Sequence, residues 1–313
     1  MTPDGRRHPS RIVVLMSTTS RRIESSAVAA MAPVLTILPV SFVALLVFWL
    51  PVHLVWDVSY VTFVLVYLAG AVLLFVRPVQ VTLLTRLLGA RRPDRSERAR
   101  LETAWRSVLE AARLPSNRYV LAVLPSDELN AFACGGHLVV VSSLAVDTLP
   151  RDELAGVLAH ELSHHLGFHT VALSLSQWFS VPVQVMARIG FFLQNVASAA
   201  TSSFASHSTA LTVIGRIVSA LLTAVSWVFL AGLIVANAVG NVAGKGSEFQ
   251  ADARAVQLGF GRELSSALRR VVSMGGGNRP LGWRERLGAT HPPARTRIAK
   301  IEATRRARAA VRP

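Results

Sequence analysis

Two histidines and a glutamate in the pentapeptide HELSH, at positions 160–164, have the spacing of a zinc site. On a helix, His160 and His164 project from one face, where their imidazoles can bind one tetrahedral zinc ion. Glu161 follows the first histidine, where its carboxylate can act as general base on an attacking water. The motif therefore predicts zinc-dependent hydrolysis of a peptide bond. The alternative is a pair of surface histidines on an amphipathic helix.

A third metal ligand would separate the classes of zinc peptidase. The longer motif HExxHxxGxxH requires a histidine where the chain has Thr170, and His169 is one position short of it. The later apolar segments contain no aspartate, the ligand that intramembrane zinc peptidases would need. The remaining candidate is Glu248 in the segment EFQADARA, with Asp252 one helical turn later to accept a hydrogen bond from a ligand histidine. Glu248 could instead be an ordinary carboxylate paired with a neighbouring basic residue.

A short extended segment precedes the HELSH motif. Residues 129–134 and 137–141 flank two glycines, which supply the positive φ that a hairpin turn needs. The first strand is a candidate edge that would hold an extended substrate through main-chain hydrogen bonds. The substrate-binding candidates on this strand are Asn130, Ala131 and Phe132. A hairpin that serves only the structure fits the same pattern.

Four motifs occur in the order found in HtpX-type membrane zinc peptidases, which are related to CAAX prenyl proteases. They are NAFACGG at 130–136, HELSH at 160–164, EFQADARA at 248–255 and THPPARTRI at 290–298. The chain resembles this family from about residue 100 to 300 and in its two leading apolar segments. The resemblance implies a gluzincin-like domain with one zinc ion per chain. The implied zinc ligands are His160, His164 and Glu248, and the implied catalytic base is Glu161.

The same resemblance places His291 and Arg297 next to the tetrahedral intermediate of the reaction. A histidine and an arginine there can neutralise the developing oxyanion. Alternatively, the HPP sequence ends a loop, and Arg297 is one of many basic residues on a solvated helix. Both interpretations stay open at the level of the sequence.

Composition indicates that membrane spans surround this site. Of the 313 residues, 51% are hydrophobic and only 16% are charged, with a mean hydropathy of +0.43. Soluble domains carry nearer a quarter of charged residues. The predicted fold is therefore mainly α (α+β), with a small antiparallel β-sheet and about four transmembrane helices. The predicted segments are a basic leader (1–30), a transmembrane hairpin (31–76), a catalytic segment (77–169), a second transmembrane hairpin (170–244) and a second catalytic segment (245–313).

Charge and topology predict the orientation of these segments. Arginines precede the first hairpin at 21 and 22 and follow it from 77 onward, so both of its ends are expected in the cytoplasm. Because His164 and Glu248 must meet at one ion, the chain between them crosses the bilayer an even number of times. Either both halves of the second apolar segment span the membrane or neither does. We expect that both span, giving four spans in a bacterial-type inner membrane, with the catalytic domain facing the cytoplasm.

The expected function is that of a zinc endopeptidase acting on unfolded or damaged membrane proteins, with the lipid bilayer as its other partner. A zinc-containing membrane sensor or scaffold with little proteolysis is the alternative. The net charge of +15 is expected to face anionic headgroups. Nucleic acid is not expected as a partner, because the basic run at 305–312 has no interleaved aromatic residues.

Overall fold

The computed structural model describes residues 19–204, 209–274 and 292–311. Within these ranges the chain is mainly α-helical, as predicted, with one sheet of three strands. The helices are α1 (Thr19–Trp56), α2 (Tyr60–Leu73), α3 (Arg77–Leu87), α4 (Arg95–Ala112), α5 (Ser143–Thr148), α6 (Arg151–Leu166), α7 (His169–Phe204), α8 (Thr209–Leu258), α9 (Gly261–Ser273) and α10 (Ala294–Val311). The strands are β1 (Val120–Leu124), β2 (Ala131–Cys134) and β3 (Leu138–Ser142). The predicted break at Gly275–Gly277 lies outside the described residues.

Two of the described helices are long and apolar enough to cross a membrane, at Ala30–Trp56 and Thr209–Leu258. A third candidate is the pair α2 and α3, which meet at an angle of 82°. The second half of the predicted transmembrane hairpin, 31–76, therefore corresponds to α2 and the bend that follows it. Helix α7 is not among these candidates, because polar residues such as Gln177 and Arg188 dilute its apolar surface. The predicted count of four spans is not confirmed.

Helices α1, α7 and α8 pack together through one apolar cluster. Its buried members are Val34, Ile37, Ala44, Phe179, Val183, Ala187, Phe229, Leu233 and Ala236. A Cβ atom on Gly232 of α8 would lie 2.9 Å from Cγ2 of Val40 on α1, so the glycine allows the two backbones to approach closely. Small residues serve the same purpose in membrane helix packing generally.

The sheet is mixed, with the strand order β1-β3-β2. Strands β2 and β3 form the predicted hairpin, in which Ala133 lies opposite Val139. Strand β1 pairs in parallel with β3, and Val120 lies opposite Leu138. The prediction of an antiparallel sheet is therefore wrong for β1. The cause is that the chain passes from β1 to the outer strand β2 first, so β3 returns between them in the direction of β1.

Helix α6 lies at the centre of the second core. Its residues Leu154, Leu158 and Leu162 are buried against α4, the sheet and the later helices. At its start, the Glu153 carboxylate accepts hydrogen bonds from Arg270 and Ser266 of α9, at 2.6 and 2.8 Å. The hydrogen bond from Arg270 is the main reason that the pKa of Glu153 lies below its usual value. Burial acts to raise this pKa, and the hydrogen bond from Ser266 lowers it further. These contacts fix the helix that carries the HELSH motif.

Candidate metal centre

The structure brings His160, His164 and Glu248 together. Their ligand atoms lie within 4.8 Å of one another, and this is the group able to hold a metal ion in the described part of the chain. The Nε2 atoms of the two histidines are 3.2 Å apart. Oε2 of Glu248 lies 3.5 Å from His160 Nε2, and Oε1 lies 3.3 Å from His164 Nε2.

These separations fit a tetrahedral zinc site. Ligand atoms bound at the usual zinc distances lie about 3.3 Å from one another. Helix α6 supplies both histidines from one face, and α8 supplies the glutamate from 84 positions further along the chain than His164. Both His160 and Glu248 are buried, so two of the three candidate donors are shielded from bulk water.

Asp252 orients the first histidine. Its Oδ1 atom lies 2.9 Å from Nδ1 of His160, one turn along α8 from Glu248. A hydrogen bond from Nδ1–H to a carboxylate leaves Nε2 available toward the metal position. Burial and the charge of Arg297 lower the pKa of His160, but Asp252 and Glu248 raise it by more, to about 9. The predicted contact between Asp252 and a histidine of the motif is thus present.

Arg297 is 8% exposed, so its interpretation as a residue of a solvated face is wrong. Its Nε and Nη2 atoms donate hydrogen bonds to the Asp252 carboxylate at 2.9 and 2.7 Å. Its Nη1 atom lies 3.1 Å from Oε2 of Glu248, and Nη2 lies 3.1 Å from Nε2 of His160. Arg297 therefore contacts the candidate ligands themselves and offsets the negative charge of two buried carboxylates.

Glu161 faces the hairpin. Its side chain is buried, and Oε2 accepts a hydrogen bond of 2.8 Å from the backbone amide of Ala133. Because this amide points away from β3, the free edge of β2 faces α6. The candidate base and the candidate substrate edge are thus in direct contact.

The three substrate-binding candidates have different surroundings. Asn130 is exposed and lies just before β2. Its backbone N–H donates a hydrogen bond of 3.0 Å to Oγ of Ser142. Ala131 and Phe132 are half-buried within β2. The Phe132 side chain packs against the apolar cluster around Val140. Main-chain groups of this strand, rather than these side chains, border the base.

Two residues near the site make contacts that the sequence does not predict. The buried Gln80 of α3 accepts hydrogen bonds through Oε1 from the Gly136 amide at 2.8 Å and contacts His137 Nδ1 at 3.0 Å. Arg254 donates a hydrogen bond of 2.7 Å to the carbonyl oxygen of Ser163, inside the HELSH motif. The one available signal for Gln80 was an amide in the otherwise apolar run VQVTLL.

The remaining histidines of this region lie outside the metal group. The Nε2 atom of His165 lies 3.0 Å from the Leu138 carbonyl oxygen, and burial lowers its pKa to about 4. This contact fastens α6 to β3. His291, which the family resemblance places next to the tetrahedral intermediate, lies outside the described residues.

A helix with two histidines one turn apart, a carboxylate after the first and a glutamate from a later helix is the arrangement of a zinc-peptidase metal site. The family model of peptidase family M48 matches residues 95–305. The chain belongs to this family.

Relatives and a solved structure agree with this assignment. The chain is 30% identical over 203 residues to Protease HtpX of Nitrosococcus oceani. The matched region covers 58% of this chain and 64% of that relative. The chain is 26% identical over 247 residues to a Protease HtpX homolog of Salinibacter ruber, covering 71% and 80%. The crystal structure of S. mikatae Ste24p superimposes with a TM-score of 0.50 at 18% identity, over 89% of this chain and 67% of that one. The resemblance to HtpX-type peptidases is confirmed, and the Ste24p structure supports the fold.

Proposed function

We propose that the protein is a zinc-dependent integral-membrane endopeptidase that cleaves unfolded or damaged membrane proteins at the cytoplasmic membrane face. The observation that carries this proposal is the contact between the metal group and an open strand edge: Glu161, next to the ligand His160, accepts a hydrogen bond from Ala133 of β2. A general base acts on a peptide bond only when the bound peptide lies next to it, so the base and the peptide-binding edge must be close together.

His160, His164 and Glu248 would hold one zinc ion. When bound, zinc supplies a Lewis acid that polarises a carbonyl and lowers the pKa of water. The Glu161 carboxylate takes the proton of the attacking water and then delivers it to the leaving amine. Asp252 keeps His160 in one tautomer, and Arg297 holds Asp252 and Glu248 in position.

The strand edge favours extended peptides of varied sequence. Main-chain hydrogen bonds from β2 do not depend on the substrate's side chains, so the edge at 130–134 suits unfolded segments. The amide of Ala133 contacts Glu161, and a substrate strand along this edge would place its carbonyl groups beside the same carboxylate. This arrangement supports an endopeptidase acting on disordered parts of proteins.

Four membrane crossings are consistent with both the length of the helices and the contact between His164 and Glu248. Helix α8 is long enough to cross a bilayer, and Glu248 lies near its C-terminal end. Since His164 lies just before α7 and meets Glu248, α7 must carry the chain across in the opposite direction. With α1 and α2 this makes four crossings, and the flanking arginines favour the cytoplasmic side for the site.

Glu161→Gln tests the catalytic proposal. Without a base at this position, cleavage of casein by the purified, zinc-loaded protein is expected to fall about 10²–10⁴-fold, while the zinc content stays at one ion per chain. Glu110→Gln, an equal change at an exposed position of α4, is the control and is expected to retain full activity. Wild-type activity in Glu161→Gln would refute this role. Zinc-loaded wild type that cleaves no unfolded protein would favour a sensor or scaffold.

A further inference from the structure

A cavity of about 750 Å³ lies on the opposite side of the sheet from the metal group. It is lined by α3, α4, the segment around Arg92 and the outer edge of β1. The strand order β1-β3-β2 puts this cavity beyond one edge of the sheet and Glu161 beyond the other. A volume of this size is typical of a site for a small ligand.

Three arginines from separate elements line the cavity: Arg86 on α3, Arg92 before α4, and Arg98 on α4. All three are exposed, and none has an ion pair or a side-chain hydrogen bond with a described residue. Arg91, by contrast, is bound to the Glu97 carboxylate at 2.6 and 2.7 Å. Glu102 is the one acidic residue among the described lining residues, so the cavity carries an excess of positive charge.

The wall of the cavity is apolar. The half-buried side chains of Val81 on α3 and of Val120 and Leu121 on β1 line it. Leu101, Trp105 and Tyr119 are buried behind them. Basic groups at the mouth and an apolar wall below them suit a ligand that is anionic at one end and apolar at the other.

Helix α3 connects the cavity to the membrane. It follows α2 directly at an angle of 82°, so it would run along the bilayer surface wherever α2 crosses. Its residues Val79, Leu83 and Leu87 form an exposed apolar stripe at helical spacing, 38–73% exposed. Its other side, including Thr85 and Arg86, lines the cavity. An interfacial helix of this kind places the cavity at the level of the lipid headgroups.

We propose that this cavity binds the headgroup of an anionic phospholipid. The phosphate accepts charge-assisted hydrogen bonds from the guanidinium groups of Arg86, Arg92 and Arg98. The adjoining glycerol and the start of an acyl chain lie against the apolar wall at Val81, Val120 and Leu121. Lipid fits better than a free anion, because free phosphate would leave this wall without a partner.

Native mass spectrometry of the full-length protein in detergent can test this site. The probes are dioctanoyl phosphatidylglycerol and, for comparison, dioctanoyl phosphatidylcholine and inorganic phosphate. The triple variant Arg86→Gln, Arg92→Gln, Arg98→Gln is expected to bind phosphatidylglycerol about 10- to 100-fold more weakly than the wild type. The control triple variant carries the same loss of charge at exposed arginines outside the cavity: Arg106→Gln, Arg151→Gln and Arg262→Gln. It is expected to keep the wild-type affinity.

Several results would overturn the proposal. They are equal loss of binding in the two triple variants, phosphate adducts as stable as those of phosphatidylglycerol, or displacement of the lipid by an acidic peptide. Should the first triple variant fail to fold, Ser116→Trp fills the cavity from an exposed position and keeps all three arginines. This variant must also lose phosphatidylglycerol. Because lipid binding is measured without any substrate, the outcome is independent of the peptidase proposal.

Discussion

Arg297 and Asp252 form the buried support of the candidate metal centre. The guanidinium donates two hydrogen bonds to Asp252 and also contacts Glu248, although it lies on α10 and the carboxylates lie on α8. Buried carboxylates are costly without such a partner. The positive charge of Arg297 therefore explains how the carboxylates of Asp252 and Glu248 can stay buried beside His160.

Asp252→Asn is expected to weaken zinc binding about 10- to 100-fold. The neutral amide is a weaker acceptor for the hydrogen bond from His160, and the ion pair between Arg297 and residue 252 is lost. Competition with a chromophoric chelator measures the affinity. Asp127→Asn, at an exposed position before the hairpin, is the control and should bind zinc as the wild type does. An unchanged affinity in Asp252→Asn would show that this carboxylate does not support the metal site.

Local geometry explains which of the candidate site residues can be inferred from the sequence. His160 and His164 are neighbours because positions four apart on one helix share a face. Elimination leaves Glu248 as the third ligand, and helical spacing adds Asp252. The structure has both side chains beside the motif. The position of Arg297 depends on how α10 packs, which no local spacing encodes.

At the scale of elements, α6 and α9 are in close contact at Gly156. A Cβ atom there would lie 2.7 Å from the carbonyl carbon of Glu263 and 2.9 Å from Cα of Leu264. These are backbone atoms at the start of α9, so they cannot rotate away. The glycine is therefore required by packing and not by backbone conformation.

Gly156→Ala is expected to lower the free energy of unfolding by about 1–3 kcal/mol, because α9 must shift away from α6. Thermal unfolding in detergent measures the change. Gly246→Ala is the matched control on α8: its Cβ meets no atom within 4 Å, so the better helix former is expected to add up to about 1 kcal/mol. Equal stability of the two variants would contradict the packing described for α6 and α9.

The sheet shows what the sequence pattern could not predict at this scale. The hairpin of β2 and β3 is local, and Gly135 with a φ of 61° supplies the turn that its position suggested. The pairing of β1 with β3 joins segments that are not adjacent in the chain, and either direction suits their apolar residues. The direction follows from the strand order, in which β2 is the outer strand, and the sequence pattern does not encode that order.

At the scale of the whole molecule, the hydropathy of α7 and its packing favour different interpretations. Its polar residues weaken its hydropathy, whereas its residues Phe179, Val183 and Ala187 are buried against α1 and α8. Hydropathy alone therefore does not predict that α7 spans the membrane. The contact between His164 and Glu248 adds a constraint, because it puts the start of α7 and the end of α8 on the same side of any bilayer that α8 crosses.

A cysteine at Ala200, exposed near the far end of α7, tests the four-span topology. In a Cys134→Ser background, a membrane-impermeant maleimide added to intact cells is expected to label Ala200→Cys. Ala99→Cys, exposed on α4 in the catalytic domain, should react only after the membrane is permeabilised. Labelling of Ala200→Cys only from the cytoplasmic side would contradict four crossings.

X-ray absorption at the zinc edge tests the central claim most directly, since it detects the atoms bound to the ion in the full-length protein. With one zinc ion per chain, the first shell is expected to contain two imidazole nitrogens and oxygen ligands at about 2.0–2.2 Å. In Glu248→Ala the carboxylate contribution should disappear while both imidazoles remain. A sulfur shell at about 2.3 Å, or an unchanged spectrum in Glu248→Ala, would contradict a site made by His160, His164 and Glu248.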